Sequence, residues 1–88
     1  MTNKLLSSLK LRDVELPNRI VVSPMQMYMA KENGECTDWH LVHLGKFATG
    51  NFGTVFTEVL CVESRGRSTY SDAGIWSDTH IPMLKKIA

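Results

Sequence analysis

Apolar and polar positions alternate from Leu9 to Leu16, with Lys10 and Glu15 set between Leu9, Leu11, Val14 and Leu16. Period-two alternation of this kind predicts strands, here two short ones joined by Arg12-Asp13, with Pro17-Asn18 as the exit turn. The hairpin region spans residues 4–18. Next comes Ile20-Val21-Val22, an unbroken β-branched run, which suits a strand of a parallel sheet covered on both faces. Pro24 cannot continue a central ladder, so the strand is expected to end at Ser23.

A long connection over residues 24–37 contains the polar turn "KENGE" around Asn33-Gly34. A helix follows. Thr37 or Asp38 is the expected N-cap, because a short oxygen-bearing side chain accepts bonds from free first-turn amides. Leu41, Leu44 and Ala48 recur at helical spacing and predict a buried stripe, and Gly50 is the expected stop in a left-handed conformation. "TVFTEV", residues 54–59, predicts a second strand. Residues 60–77 form a second long loop rich in Arg, Gly, Ser and Asp. A second helix is expected to open at Ser77 or Asp78, to tolerate Pro82 in its first turn, and to carry Ile81, Leu84 and Ile87 on one face.

The order is therefore hairpin, strand, helix, strand, helix: an α/β chain with βα units at 19–50 and 53–88. Two strands cannot cover both faces of a parallel sheet, and the apolar stripe of the last helix still runs at Ala88. The pattern is that of part of a larger fold, and exposed strand edges would favour self-association into a homo-oligomer.

Composition narrows the class without naming a function. The 88 residues are 43% hydrophobic and 22% charged with a net charge of +1, which fits a globular segment. Basic residues are scattered, so no nucleic-acid footprint exists, and no apolar run approaches the ~20 residues of a membrane span. The N-terminal "MTNKLLSSLKLRD" does not read as a secretory signal. Cys36 and Cys61 are expected to be free thiols in a reducing cytoplasm.

Both long loops, 23–37 and 59–77, leave the C-terminal ends of strands, where parallel α/β folds bind ligands. Ser23-Pro24-Met25-Gln26 therefore sits where a barrel would build a site. The blocks "LPNRIVVSPMQMY", "TDWHLVHLGKFATGNFGTVFTEV" and "GRSTYSDAGIWSD" resemble, in order, the start of the Old Yellow Enzyme family of FMN-dependent NAD(P)H oxidoreductases. The likeness is to its xenobiotic-reductase-like branch. It runs from about Leu11 to Ile87 and implies the hairpin and first two βα units of an FMN-binding (β/α)8 TIM barrel of about 250 residues.

That resemblance implies roles for particular positions. Ser23, Pro24 and Met25 match the segment that lies against the flavin. Gln26 stands where the family commonly has Cys or Thr facing the flavin, and its amide, with two donors and one acceptor, is expected to bond the ring edge. Val59 stands where a small Ala or Gly usually touches the flavin. Tyr28 matches a substrate-positioning residue. No catalytic residue of the family falls within these 88 positions. The implied activity is hydride transfer from NADH or NADPH through FMN to a small electrophilic alkene.

Other residues carry chemistry of their own. Cys36, His40 and His43 have a spacing that brings zinc to mind, but no closed set of four ligands is visible, and histidines bonded locally on a helix are the plainer reading. Glu58 is either a catalytic carboxylate or a buried one bonded to a backbone amide or an Arg. Arg19 lies at the N-terminal, stability-giving end of its strand. Arg65, Arg67 and Asp72 are expected to order the second loop. Met27, Trp39 and Trp76 are expected to pack.

Overall fold

The computed structural model describes residues 3–88. A 3-10 turn at Lys4–Leu6 is capped by Asn3, whose Oδ1 accepts the Leu5 N–H at 3.0 Å. Strands β1 (Leu9–Leu11) and β2 (Val14–Leu16) pair antiparallel with Leu9 opposite Leu16. Their two-residue loop places Arg12 at φ 55, the positive φ that tight hairpin turns of the primed types require. Arg19 ties this region to the next strand. Its N–H donates to the Leu5 carbonyl, and its guanidinium reaches Ser7 Oγ and the Ser8 carbonyl.

Strands β3 (Val21–Val22) and β4 (Thr54–Val55) pair in parallel, Val21 beside Thr54 and Val22 beside Val55. The Thr54 N–H donates to the Ile20 carbonyl at 3.2 Å and the Phe56 N–H to the Val22 carbonyl at 3.0 Å. Both strands are shorter than their apolar runs predict. The last backbone bond between the two segments runs from the Phe56 N–H to the Val22 carbonyl.

Helix α1 (Asp38–Thr49) crosses between them, with Thr37 as N-cap. Its end differs from expectation. Gly50 has φ −80, and the left-handed conformation falls on Asn51 at φ 62. Asparagine tolerates that region better than other residues with a Cβ, so the stop is displaced by one position. Leu41 and Leu44 are half-buried and Ala48 is exposed. The stripe that periodicity marks as buried instead lines an open groove with Val55, Leu84 and Ile87, because no described element closes over it.

The second loop contains a 3-10 turn at Ser64–Gly66 and one parallel bridge, Cys61 to Gly74. A 3-10 turn at Asp78–His80, N-capped by Ser77, leads into α2 (Ile81–Ile87), with Pro82 in its first turn.

The buried hydrophobic residues are all small: Ala30, Cys36, Cys61 and Ala73. The largest fully buried side chains are His40, His80 and Asp72. Leu60, Met83, Leu84 and Ile87 pack only partly against this centre. The radius of gyration is 15.1 Å, against about 12 Å for a compact domain of this length. Buried polar contacts, more than an apolar core, organise the described residues.

Candidate functional site

The parallel register decides where the site lies. With Val22 beside Val55, residues 23–28 and 56–59 leave the sheet at the same, C-terminal rim. Ser23 and Pro24 are exposed there, as are Met25 (43%) and Val59 (57%), with Phe56 beside them. The rim offers an open wall of thioether and aliphatic surface flanked by backbone polar groups.

Tyr28 is exposed and has φ 59. A bulky aromatic residue in that region is strained, and strain of this kind clusters at binding sites. Its signal is conformational, so no pattern in the sequence announces it.

Gln26 is half-buried and turned inward. Its side-chain amide lies beside Asp72 and helps hold that carboxyl below the usual carboxylate range. Gln26 Oε1 is buried and has no partner among the described residues. Of the residues read as flavin contacts, Ser23, Pro24, Met25 and Val59 present side chains at the open rim, and Gln26 presents its side chain to the loop behind it.

Asp72 orders that loop. It accepts from Ser68 N–H at 2.7 Å, Thr69 N–H at 3.2 Å and Thr69 Oγ at 2.7 Å. These hydrogen bonds, the Thr69 hydroxyl foremost, keep its carboxyl ionised below the ordinary range against the cost of burial. Arg67 bonds the Ser64 and Glu32 carbonyls and lies over the Tyr70 and Trp76 rings. Arg65 differs from the expectation of a loop-ordering role: it is exposed and pairs only with nearby Glu63.

Behind the rim lies a buried polar pair that sequence reasoning left divided between two roles. His40 and Glu58 are only 1% and 7% exposed. His40 Nδ1 accepts the Thr37 N–H at 2.9 Å, so the ring proton sits on Nε2, 3.1 Å from Glu58 Oε1. The oxygen lies off the N–H direction, which makes this a close polar contact and not an aligned hydrogen bond. The Met27 backbone amide also lies against the Glu58 carboxyl. Glu58 is thus a buried carboxyl with His40 where an Arg was the alternative, and its Oε2 has no partner among the described residues.

His40 Nδ1 is taken by the Thr37 N–H, its Nε2 faces Glu58, and His43 stacks on Trp39 at 4.7 Å. Among the described residues no cluster of three or more His, Cys, Asp or Glu is arranged for one. Burial pushes the Cys36 thiol up to about 11, with the Glu58 carboxyl adding to the shift. Trp76 packs on Gly34, Gly74 and His80.

His80 repeats the device of His40. Its Nδ1 accepts the Ser77 N–H at 3.2 Å while Nε2 donates to the Asn33 carbonyl at 2.8 Å. The signal was present as Thr-Asp-x-His and Ser-Asp-x-His at residues 37–40 and 77–80. A His at the third helical position replaces the Glu or Gln of an ordinary capping box.

Two parallel strands joined by a crossing helix make the βα frame of an α/β fold. The comparisons give the particular family. The profile of the NADH:flavin oxidoreductase / NADH oxidase family matches residues 4–88, and the chain belongs to that family. It is 44% identical over 87 residues to an NADPH dehydrogenase of Bacillus cytotoxicus, covering 98% of this chain and 25% of the relative. A Listeria monocytogenes NADPH dehydrogenase is 44% identical over 86 residues, again with 25% of the relative covered. The chain therefore spans about a quarter of the curated relatives it matches. Among solved structures, the old yellow enzyme from Trypanosoma cruzi superposes with a TM-score of 0.82 at 27% identity, over 96% of this chain and 22% of that one. Old Yellow Enzyme from Pichia sp. AKU4542 gives 0.88 at 25% identity, over 96% and 22%. The fold is that of the corresponding part of these TIM barrels.

Proposed function

We propose that residues 3–88 are the hairpin and first two βα units of a flavin-dependent NAD(P)H oxidoreductase barrel, and that their strand-end rim is one wall of its FMN slot. The observation that carries this reading is the parallel β3–β4 register, which sends the segments holding Ser23, Pro24, Met25 and Val59 off the same, C-terminal end of the pair. An exposed apolar wall with backbone polar groups at its edge suits one face of a flat, hydrogen-bonding ring. When bound, FMN would take hydride from NADH or NADPH and return it to an activated alkene.

In this reading Ser23, Pro24 and Met25 hold one edge of the ring through backbone groups and the Met25 side chain, and Val59 packs against it from the neighbouring strand. Gln26 contributes its backbone, its amide being engaged at Asp72. Tyr28, exposed beyond the corner, orients substrate. The test is an amide-resolved NMR titration of the 88-residue chain with FMN. Weak, saturable shifts confined to residues 23–28 and 56–60 are expected. Shifts confined to the opposite, N-terminal ends of β3 and β4 would overturn the reading.

The isolated 88 residues also support a second reading, an inert and self-associating piece. It is favoured by the exposure of Val21, Phe56, Val59 and Val62, together with the absence, among the described residues, of any large buried apolar side chain. Light scattering should then report a mass that rises with concentration. A constant monomer mass counts against it.

A further inference from the structure

We propose that Glu58 is held as the neutral acid in the folded protein, and that in this form it is a positioning residue bracing both walls of the rim against helix α1. Its carboxyl meets His40 of α1 on one side and the Met27 amide of the corner on the other, and its own peptide leads directly to Val59. This role at the rim rests on the flavin-slot reading. The protonation state does not.

Among the described residues no Lys or Arg pairs with Glu58. A buried carboxylate needs a positive partner or several donors. Here the nearest basic group is His40, and His40 cannot charge without placing a proton on Nδ1. That nitrogen already accepts the Thr37 N–H at 2.9 Å, so protonation would abolish the helix cap. His40 therefore remains the neutral imidazole, and it meets Glu58 as a dipole.

The other titratable groups around Glu58 come from every element packed on it. Asp72, from the second loop, is a carboxylate kept ionised by its own ring of donors, and a second negative charge beside it is unfavourable. Cys36, from the loop before α1, is a neutral thiol. His43, one turn along α1, acts in the opposite sense, and the Met27 amide does too, but burial outweighs both and raises the Glu58 pKa. The negative charge of the cluster rests on Asp72.

A second observation agrees. Glu58 Oε2 and Gln26 Oε1 are both buried acceptors without partners among the described residues. A proton on Oε2 spares the fold a buried, unpartnered anionic oxygen, which costs more to desolvate than a neutral hydroxyl.

The consequence for the rim is electrostatic. A charged Glu58 would put a fixed anion behind the wall, where it would oppose any ring that gains negative charge on reduction. The neutral acid braces the wall without that field.

The test is carbon-13 NMR of the Glu58 side-chain carboxyl in the flavin-free 88-residue chain, assigned by its loss in Glu58→Gln. The carboxyl carbon is expected at the shift of a protonated acid at neutral pH, moving to the ionised value as the pH is raised. The amides of Met27 and Val59 should move with it. Glu58→Gln, which mimics the neutral acid, should keep the wild-type amide pattern, and His40→Gln should keep the acid protonated. An ionised Glu58 carboxyl at neutral pH in the folded chain overturns the proposal. So does a titration that leaves Met27 and Val59 unmoved. An FMN titration that fails while these results hold would remove the flavin reading and leave the brace standing.

Discussion

Asn18 and Gly53 meet at the N-terminal end of the parallel pair: Asn18 Oδ1 accepts the Gly53 N–H at 2.8 Å, across 35 positions of sequence. The same oxygen accepts the Ile20 N–H at 3.0 Å, and Nδ2 donates to the Asn51 carbonyl at 2.7 Å. One side chain thus joins the starts of β3 and β4 to the end of α1. Contact is close enough that a Cβ on Gly53 would fall 2.2 Å from the Asn18 carbonyl oxygen.

Gly53→Ala is accordingly expected to destabilise the chain by about 1–3 kcal/mol, the cost of overpacking against backbone that cannot yield. Gly45→Ala, inside α1 with open space around it, is expected to stabilise by about 0.5–1 kcal/mol through helix propensity. Urea denaturation compares the two directly. Equal effects of the same sign would contradict the packing described here.

The paired histidine caps make a second prediction. His40→Ala removes the acceptor for Thr37 N–H, worth about 1 kcal/mol, and strips the buried Glu58 of a contact. His40→Gln restores an acceptor at the cap and should recover most of the loss. The corresponding His80→Gln should recover less, because the His80 bond to the Asn33 carbonyl across the loop is lost as well. Hydrogen exchange of the first turns of α1 and of the Asp78–His80 segment reads the two effects separately.

The pH dependence follows from groups shifted in opposite directions. His40 lies below its ordinary 6.5 because it is buried. The unfolded chain therefore takes up a proton that the folded one refuses, and this contribution to stability is present above 6.5 and lost as pH falls from there through the folded value. Glu58 lies above its ordinary 4.5, chiefly through burial. Its contribution is complete below 4.5 and lost as pH rises through the raised folded value. His40→Gln should flatten the acid side of a stability–pH curve, and Glu58→Gln the side above 4.5. A Glu58→Gln curve parallel to wild type over that range would contradict the assignment.

Tyr28 offers a separation of stability from binding. Tyr28→Gly relieves a positive φ that costs about 1–3 kcal/mol in a bulky residue, and the exposed ring contributes little packing in return. The variant should be at least as stable as wild type in thermal melts. A clear loss of stability would show that the ring packs after all.

Local chemistry was legible along the chain. The alternation around Lys10 and Glu15 located the hairpin, the β-branched run at Ile20–Val22 and the Pro24 stop located the corner, and Thr37 marked the start of α1, whereas Ser77 caps the 3-10 turn that precedes α2, which opens three residues later than expected, at Ile81. These depend on neighbours within a few residues, which sequence order preserves. The blocks containing Ser23-Pro24-Met25 were specific enough to point to the family as well.

Only the tertiary structure decided what meets across distance. The parallel register of β3 on β4 sends residues 23–26 and 56–59 off the same end of the pair, Gln26 lies beside Asp72, and Glu58 lies against His40. The tertiary structure also left Leu41, Leu44 and Ala48 along an open groove, and moved the left-handed stop from Gly50 to Asn51. Pairing between remote segments is a balance of burial, strain and hydrogen-bond satisfaction summed over many residues, and no local pattern encodes that sum.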